Sequence, residues 1–406
     1  MQASSAVRRL EVPRLSIAER DRRWTLVRSL MARDGIDVIV APAATGAWDN
    51  MASFNRYLTT IGGNCAPVAT VFPADGEVTV ITAPVPPKEH WLGFQDWVTD
   101  IRPSFFMMTE PVIGRLRELS ADRARIGLAG LAGLPRQPEG SVPHGVYAAL
   151  AEAFPLAELV NATPLLEEAR FVKSDEEIEA LRRATGLVEH ALDVLAALAR
   201  PGVPENVLYA RMLAAMGERG SDLPTMFLFS AGTPQPLRNY FQPTMRPLEA
   251  GDVISCEIEG KWAGYIGHYT CQATVGPVPD EYAAMFEVQQ RAVERCRAHL
   301  VPGATLGEFI DIAASAAEGT PYRCQVILHG RGLGDDAPIT VFGTQFGGQA
   351  ERMKNWRLEA NAVLLPKPLV ATRDFQKWVC WGDPVVVAEG GGQRLGTRRP
   401  EIMAVG

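Results

Sequence analysis

The segment GDVISCEIEGKWAGYIGHYTCQATVG, Gly251–Gly276, constrains this chain most. It reads as two strands joined by a polar, glycine-containing turn around 260–264. Upstream, in FVKSDEEIEALRRAT, Ser174 followed by Glu177 forms a capping box, and Ile178, Leu181, Leu187 and Leu192 recur at helical spacing, so a long helix begins near Ser174. Helices are expected at about 280–299 and 305–317, and no internal repeat is visible. Strands and helices together make this half α+β.

The first 160 residues alternate differently. A helix from about Ser16 to Asp34 stops at Gly35 and feeds a strand, Asp37–Pro42. Two short strands, PVATVFP and EVTVIT, flank Asp75-Gly76, the signature of a tight hairpin. RIGLAGL and VYAALAEAF then continue the alternation of strand and helix. With 406 residues the chain exceeds what a single core of roughly 250–300 residues holds. The expectation is an α/β domain over 1–165 and a second domain over 166–406.

Composition limits the function classes. Hydrophobic residues at 47% and charged residues at 21% suit buried cores and exclude disorder as the main theme. A formal net charge of −7 gives no positive field for a phosphate backbone, so nucleic acid is not an expected partner. No apolar run of about 18 residues offers a membrane span, and no apolar signal core follows the early arginines, so the expected location is the cytoplasm. The six cysteines form no CxxC pair and read as small buried apolar residues.

At five stretches the chain resembles the creatinase, Xaa-Pro dipeptidase and methionine aminopeptidase group, which has the "pita-bread" fold. These are FVKSDEEIEALRRA, the Gly251–Gly276 hairpin, the glycine-flanked histidine in HGRGLGDDAP, and the late strands LEANAVLLPKP and WGDPVVVAEG. NRYLTTIGG at 55–63 is similar to the amino-terminal domain of two-domain members. The resemblance implies a creatinase-like α/β domain followed by a pita-bread catalytic domain. In the family's metallopeptidases, two aspartates, a histidine and two glutamates surround a pair of divalent cations. Carried over by motif, these positions fall on Glu257, His268, His329, Lys367 before Pro368, and Gly382 before Asp383. Only His329 keeps the family's residue. Two hard cations need anionic oxygen ligands, and an ammonium repels them, so a dinuclear site is not expected.

Two further family histidines fall on Tyr240 and on Asp336, which Ala337 follows. The substituted residues still titrate, which suits acid–base work. The expected catalytic set is therefore Glu257 as general base, His268 and His329 as proton carriers, Lys367 as a fixed cation, and Tyr240 as a donor. Arg331, Arg56, Glu259 and Asp336 are the expected substrate-binding residues. The bland readings are a Glu257–Lys367 ion pair that replaces the metals, a packing role for Tyr240, and a solvated turn at Asp335–Asp336.

Three functions follow from these residues. The first is a metal-free, creatinase-like hydrolase that cleaves a carbon–nitrogen bond of a small polar amide, amidine or amino-acid-like metabolite, needs no cofactor and works as a homodimer. The second is a hydrolase or lyase with one divalent transition metal on Glu257, His268 and His329. The third is a binding protein without chemistry.

Overall fold

The structure, a computed structural model, describes residues 11–43, 52–63, 67–105, 107–235, 243–341 and 353–406. The chain divides into two compact units, one of Met1–Phe171 with Leu333–Ala337, the other of Val172–Gly332 with Pro338–Gly406.

In the first unit, α1 (Ile17–Asp34) is capped by Ser16, whose side chain accepts from the Glu19 amide. It ends at Gly35 in the left-handed region, φ 65°, where a side chain would be strained. The order continues β1 (Val38–Ala41), α2 (Ser53–Thr59), β2 (Val68–Pro73), β3 (Thr79–Thr82), α3 (Lys88–Phe94), β4 (Asp100–Pro103), α4 (Thr109–Glu118), β5 (Arg125–Leu128), α5 (His144–Ala153), β6 (Glu158–Asn161) and α6 (Thr163–Phe171). These strands make one sheet in the order β4-β3-β2-β1-β5-β6, antiparallel where β2 meets its neighbours and parallel elsewhere. Val40, Val71, Ile126 and Leu128 of the sheet cluster with Val112, Leu116 and Leu150 of α4 and α5 in one buried core, the layering expected of an α/β unit.

The second unit begins with α7 (Asp175–Leu198), where both halves of the Ser174–Glu177 capping box are formed. It continues α8 (Glu205–Glu218), β7 (Phe227–Gly232), β8 (Val253–Trp262), β9 (Tyr265–Val275), α9 (Asp280–His299), α10 (Leu306–Ser315), β10 (Arg323–Gly330), β11 (Ile339–Val341), β12 (Val363–Ala371), β13 (Trp378–Cys380), β14 (Val385–Val386), β15 (Gln393–Arg394) and β16 (Met403–Val405). One sheet runs β16-β9-β8-β7; the other runs β11-β10-β12-β14-β15, with β13 paired to β12.

The hairpin turn is tighter than the sequence suggests. It consists of Ala263 and Gly264 alone, with φ 52° and 82°, the positive values that two-residue hairpin turns require. Gly260 is not part of it. It lies within β8 directly opposite Gly267 of β9, and α7 covers both. A Cβ at Gly267 would sit 2.2 Å from the Thr185 nitrogen, and one at Gly260 would sit 3.2 Å from the Ala184 oxygen. The glycines therefore let the helix touch the sheet backbone. Around them Val188, Ala191, Leu192 and Leu195 of α7 pack on Ile254, Ile258, Tyr269 and Cys271 of the hairpin. Full burial of each large side chain there stabilises the fold by roughly 1.5–3 kcal/mol. The opposite face of the hairpin is left for polar groups.

The five described cysteines are free and buried, as small apolar residues would be, and burial pushes the Cys271 and Cys324 thiols up to about 12. Among the described residues no helix is long and apolar enough to cross a membrane.

Candidate active site

Side chains alternate along a strand, so Glu257 and Glu259 of β8 share one face, as do His268 and Thr270 of β9. The register sets Glu259 opposite His268 and Glu257 opposite Thr270, which gathers all four on the face away from α7. In the second sheet, Lys367 of β12 pairs with Ile327, two residues before His329 of β10, so Lys367 and His329 share a face. A backbone bridge joins Thr270 to Gly382, with hydrogen bonds of 2.9 and 3.0 Å.

These elements bring most of the expected set together. Lys367 Nζ donates to Glu257 Oε1 at 2.6 Å, and His268 Nε2 lies 3.2 Å from the same oxygen and 3.4 Å from Thr270 Oγ1. The His268 and His329 rings are 5.7 Å apart. His329 Nδ1 lies 3.3 Å from the Gly330 carbonyl, which can only accept, a contact that favours the tautomer with its proton on Nδ1. His268, His329 and Lys367 are buried, whereas Glu257 keeps 13% of its side chain exposed. Burial, helped by the Arg331 and Lys367 charges and opposed by Glu257, holds His268 well below the ordinary imidazole range, so it is neutral.

Several expected substrate-binding residues are placed otherwise. Arg331 is 1% exposed, donates to Glu259 Oε1 at 2.7 Å, and sets the same guanidinium nitrogen against His268 Nδ1. One guanidinium nitrogen thus serves both Glu259 and His268. Asp336 belongs to the first unit, where it is buried and paired with Arg170, while Asp335 pairs with Arg136. The expected solvated turn is thus a pair of internal ion pairs. Arg56, also in the first unit, is buried and donates from Nε to the Gly62 carbonyl at 2.9 Å. Tyr240 lies outside the described residues.

Glu259, Arg331, His268, Glu257 and Lys367 form one continuous run of polar contacts. The pair between Glu259 and Arg331 was not legible, because it depends on a register set by the turn and on a residue beyond the end of β10. The alternation of charged residues in EIEG was the one available signal.

Gly382 explains how the lysine fits. A Cβ there would lie 2.4 Å from Lys367 Cγ and 3.1 Å from the Pro366 oxygen. The lysine stem fills the space that a side chain at 382 would need. Beside it, Asp383 is buried between Trp381 Nε1 at 3.0 Å and Arg394 Nε at 2.8 Å. Burial outweighs the arginine and raises its carboxyl to about 6.

Fold and site define a two-unit pita-bread protein. The chain superposes on the X-Pro aminopeptidase of Thermotoga maritima MSB8 with a TM-score of 0.75 at 17% identity, over 94% of this chain and 99% of that one. The model of metallopeptidase family M24 matches residues 179–389, more than half of the sequence, and the chain belongs to that family. Among curated relatives, it is 25% identical over 355 residues to the creatinase of Bacillus sp. (strain B-0618), across 83% of this chain and 79% of that protein. It is also 25% identical over 167 residues to the uncharacterized peptidase YqhT of Bacillus subtilis, across 41% of this chain; there the match spans 47%, about half, of the relative's length.

The dinuclear centre that the family implies does not fit these residues. An ammonium is seated 2.6 Å from the carboxylate that would be the first ligand. The position of the last ligand is a glycine with no room for a side chain while Lys367 is in place. A pair of divalent cations would sit beside the Lys367 ammonium with Glu257 as the one carboxylate among the five matched positions, too little anionic charge to offset their desolvation.

Proposed function

We propose that this protein is a metal-independent, creatinase-like hydrolase that cleaves a carbon–nitrogen bond of a small polar amide, amidine or amino-acid-like metabolite. The observation that carries the reading is the Lys367 ammonium on Glu257 Oε1, in the space that Gly382 leaves open. The hydrolase class is supported by the family and by relatives named as creatinase and peptidase.

Glu257 takes a proton from a water molecule, whose oxygen bonds to the carbon of the scissile bond. The Lys367 ammonium, a preorganised cation in a water-poor site, stabilises the negative charge that develops on the substrate oxygen or nitrogen. As the carbon–nitrogen bond breaks, the leaving nitrogen takes up that proton by way of His329, whose basic Nε2 suits it to carry one. We place the enzyme in the cytoplasm as a homodimer, following the resemblance to two-domain members.

The family's metallopeptidase name favours a second reading, one divalent metal on Glu257, His268 and His329. Turnover of a panel of small amides, amidines and dipeptides, before and after chelator treatment, separates the two. Activity that survives chelation, with less than about 0.1 metal per chain by mass spectrometry, is the expected result. Loss on chelation and recovery with one metal per chain would replace the first reading by the second. Lys367→Glu, which restores a carboxylate, should lose the native activity and take up divalent metal; unchanged metal uptake would show that Lys367 does not hold that place.

A further inference from the structure

The two nitrogens of the buried His268 ring face different partners, a guanidinium at Nδ1 and a carboxylate with a hydroxyl at Nε2. At Nδ1, His268 meets the Arg331 guanidinium, which only donates. At Nε2 it meets the Glu257 carboxylate at 3.2 Å, which accepts, and the Thr270 hydroxyl at 3.4 Å, which can. A proton on Nδ1 would point at a donor, and a bare Nε2 would point its lone pair at a carboxylate. Glu259 Oε1 lies 3.7 Å from Nδ1, beyond hydrogen-bonding reach, and is itself taken by Arg331 at 2.7 Å.

We infer that Arg331, held by Glu259, is a positioning residue that fixes His268 as the Nε2–H tautomer and so makes the histidine a clamp on Glu257 rather than a proton carrier. The inference rests on the reading of Glu257 as the base. Glu257 Oε1 is then gripped from two sides, by Lys367 and by His268, and the carboxylate keeps one orientation toward the reacting carbon. Proton transfer to the leaving group falls to His329 alone. Without Arg331, Nδ1 is left with Glu259 as its nearest charged neighbour, which draws a proton onto it. In the neutral ring Nε2 then turns its lone pair on Glu257 and pushes the base out of line. A displacement of about 1 Å at such a position costs on the order of 100-fold in rate.

The test is nitrogen-15 NMR of the full-length protein labelled at its six histidines, with the His268 signals identified by their absence in His268→Gln. In the unsubstituted protein, without substrate, His268 should show a bare Nδ1 and a protonated Nε2. Arg331→Met should move a proton to Nδ1 and lower kcat about 100-fold with KM little changed, and Arg331→Lys, which still donates, should keep the original tautomer. A protonated Nδ1 in the unsubstituted protein overturns the inference, as does an Arg331→Met spectrum with Nδ1 still bare. If Arg331→Met does not fold, the unsubstituted spectrum decides alone. Because the tautomer is read without substrate or turnover, it stands or falls separately from the hydrolase reading.

Discussion

The two faces of the β8–β9 hairpin follow different rules. The face against α7 is apolar and so close that Gly260 and Gly267 admit no Cβ without displacing helix backbone or side chains. The other face carries Glu257, Glu259 and His268. A packed face has few solutions, because each atom added or removed there is felt in stability. A polar face must only keep its charges balanced and its hydrogen bonds satisfied, which several residue sets achieve. Packing and chemistry are therefore held on opposite sides of one strand pair.

Substitutions on the two faces should fail in different ways. The largest effect is expected from Glu257→Gln, which removes the base and should lower kcat by about 10²–10⁴-fold, with a smaller loss of stability because the buried Lys367 ammonium then faces a neutral amide. Full activity in that variant would take Glu257 out of the reaction. Gly267→Ala should do the reverse, since its Cβ meets backbone rather than a flexible side chain, and destabilise the protein by roughly 3 kcal/mol. A midpoint within error of the parent would mean that α7 does not lie on the hairpin as described.

The smallest effect concerns pH. Asp383 has its carboxyl raised to about 6, above the ordinary 3.8. The folded state binds that proton more tightly than the unfolded state, so the contribution is full below about pH 4 and lost as pH rises through about 6. It amounts to an order of 1–3 kcal/mol. Asp383→Asn should flatten the stability profile between about pH 4 and 6.5, and a slope that persists would assign it to another group.

What could be read without coordinates was local. Ser174 with Glu177, Gly35 after α1, and Asp75-Gly76 between two strands each act over a few residues, so short sequence patterns carry them. Gly260 shows the limit. As a glycine near a turn it reads as part of the turn, yet its reason lies in α7, more than sixty residues earlier. At the site, residue types on matched motif positions pointed to Glu257, His268, His329 and Lys367. The partners of Arg331 and Asp336 were hidden, because an arginine's donors match any carboxylate within reach and only the folded chain decides which one that is.

Lys367 and Gly382 also impose an order on change. With a side chain still at 382, the lysine stem has no seat, because the first carbon of that side chain overlaps its Cγ. With glycine at 382 and a carboxylate still at 367, nothing overlaps. A side chain at 382 and a lysine at 367 therefore cannot both keep the positions described, and of the two changes only the one at 382 can be made without disturbing the other. The lysine is accommodated in this position only with glycine at 382, whereas the glycine needs no lysine, so a side chain introduced at 382 alone tests that overlap and says nothing about what the same residue does in a relative.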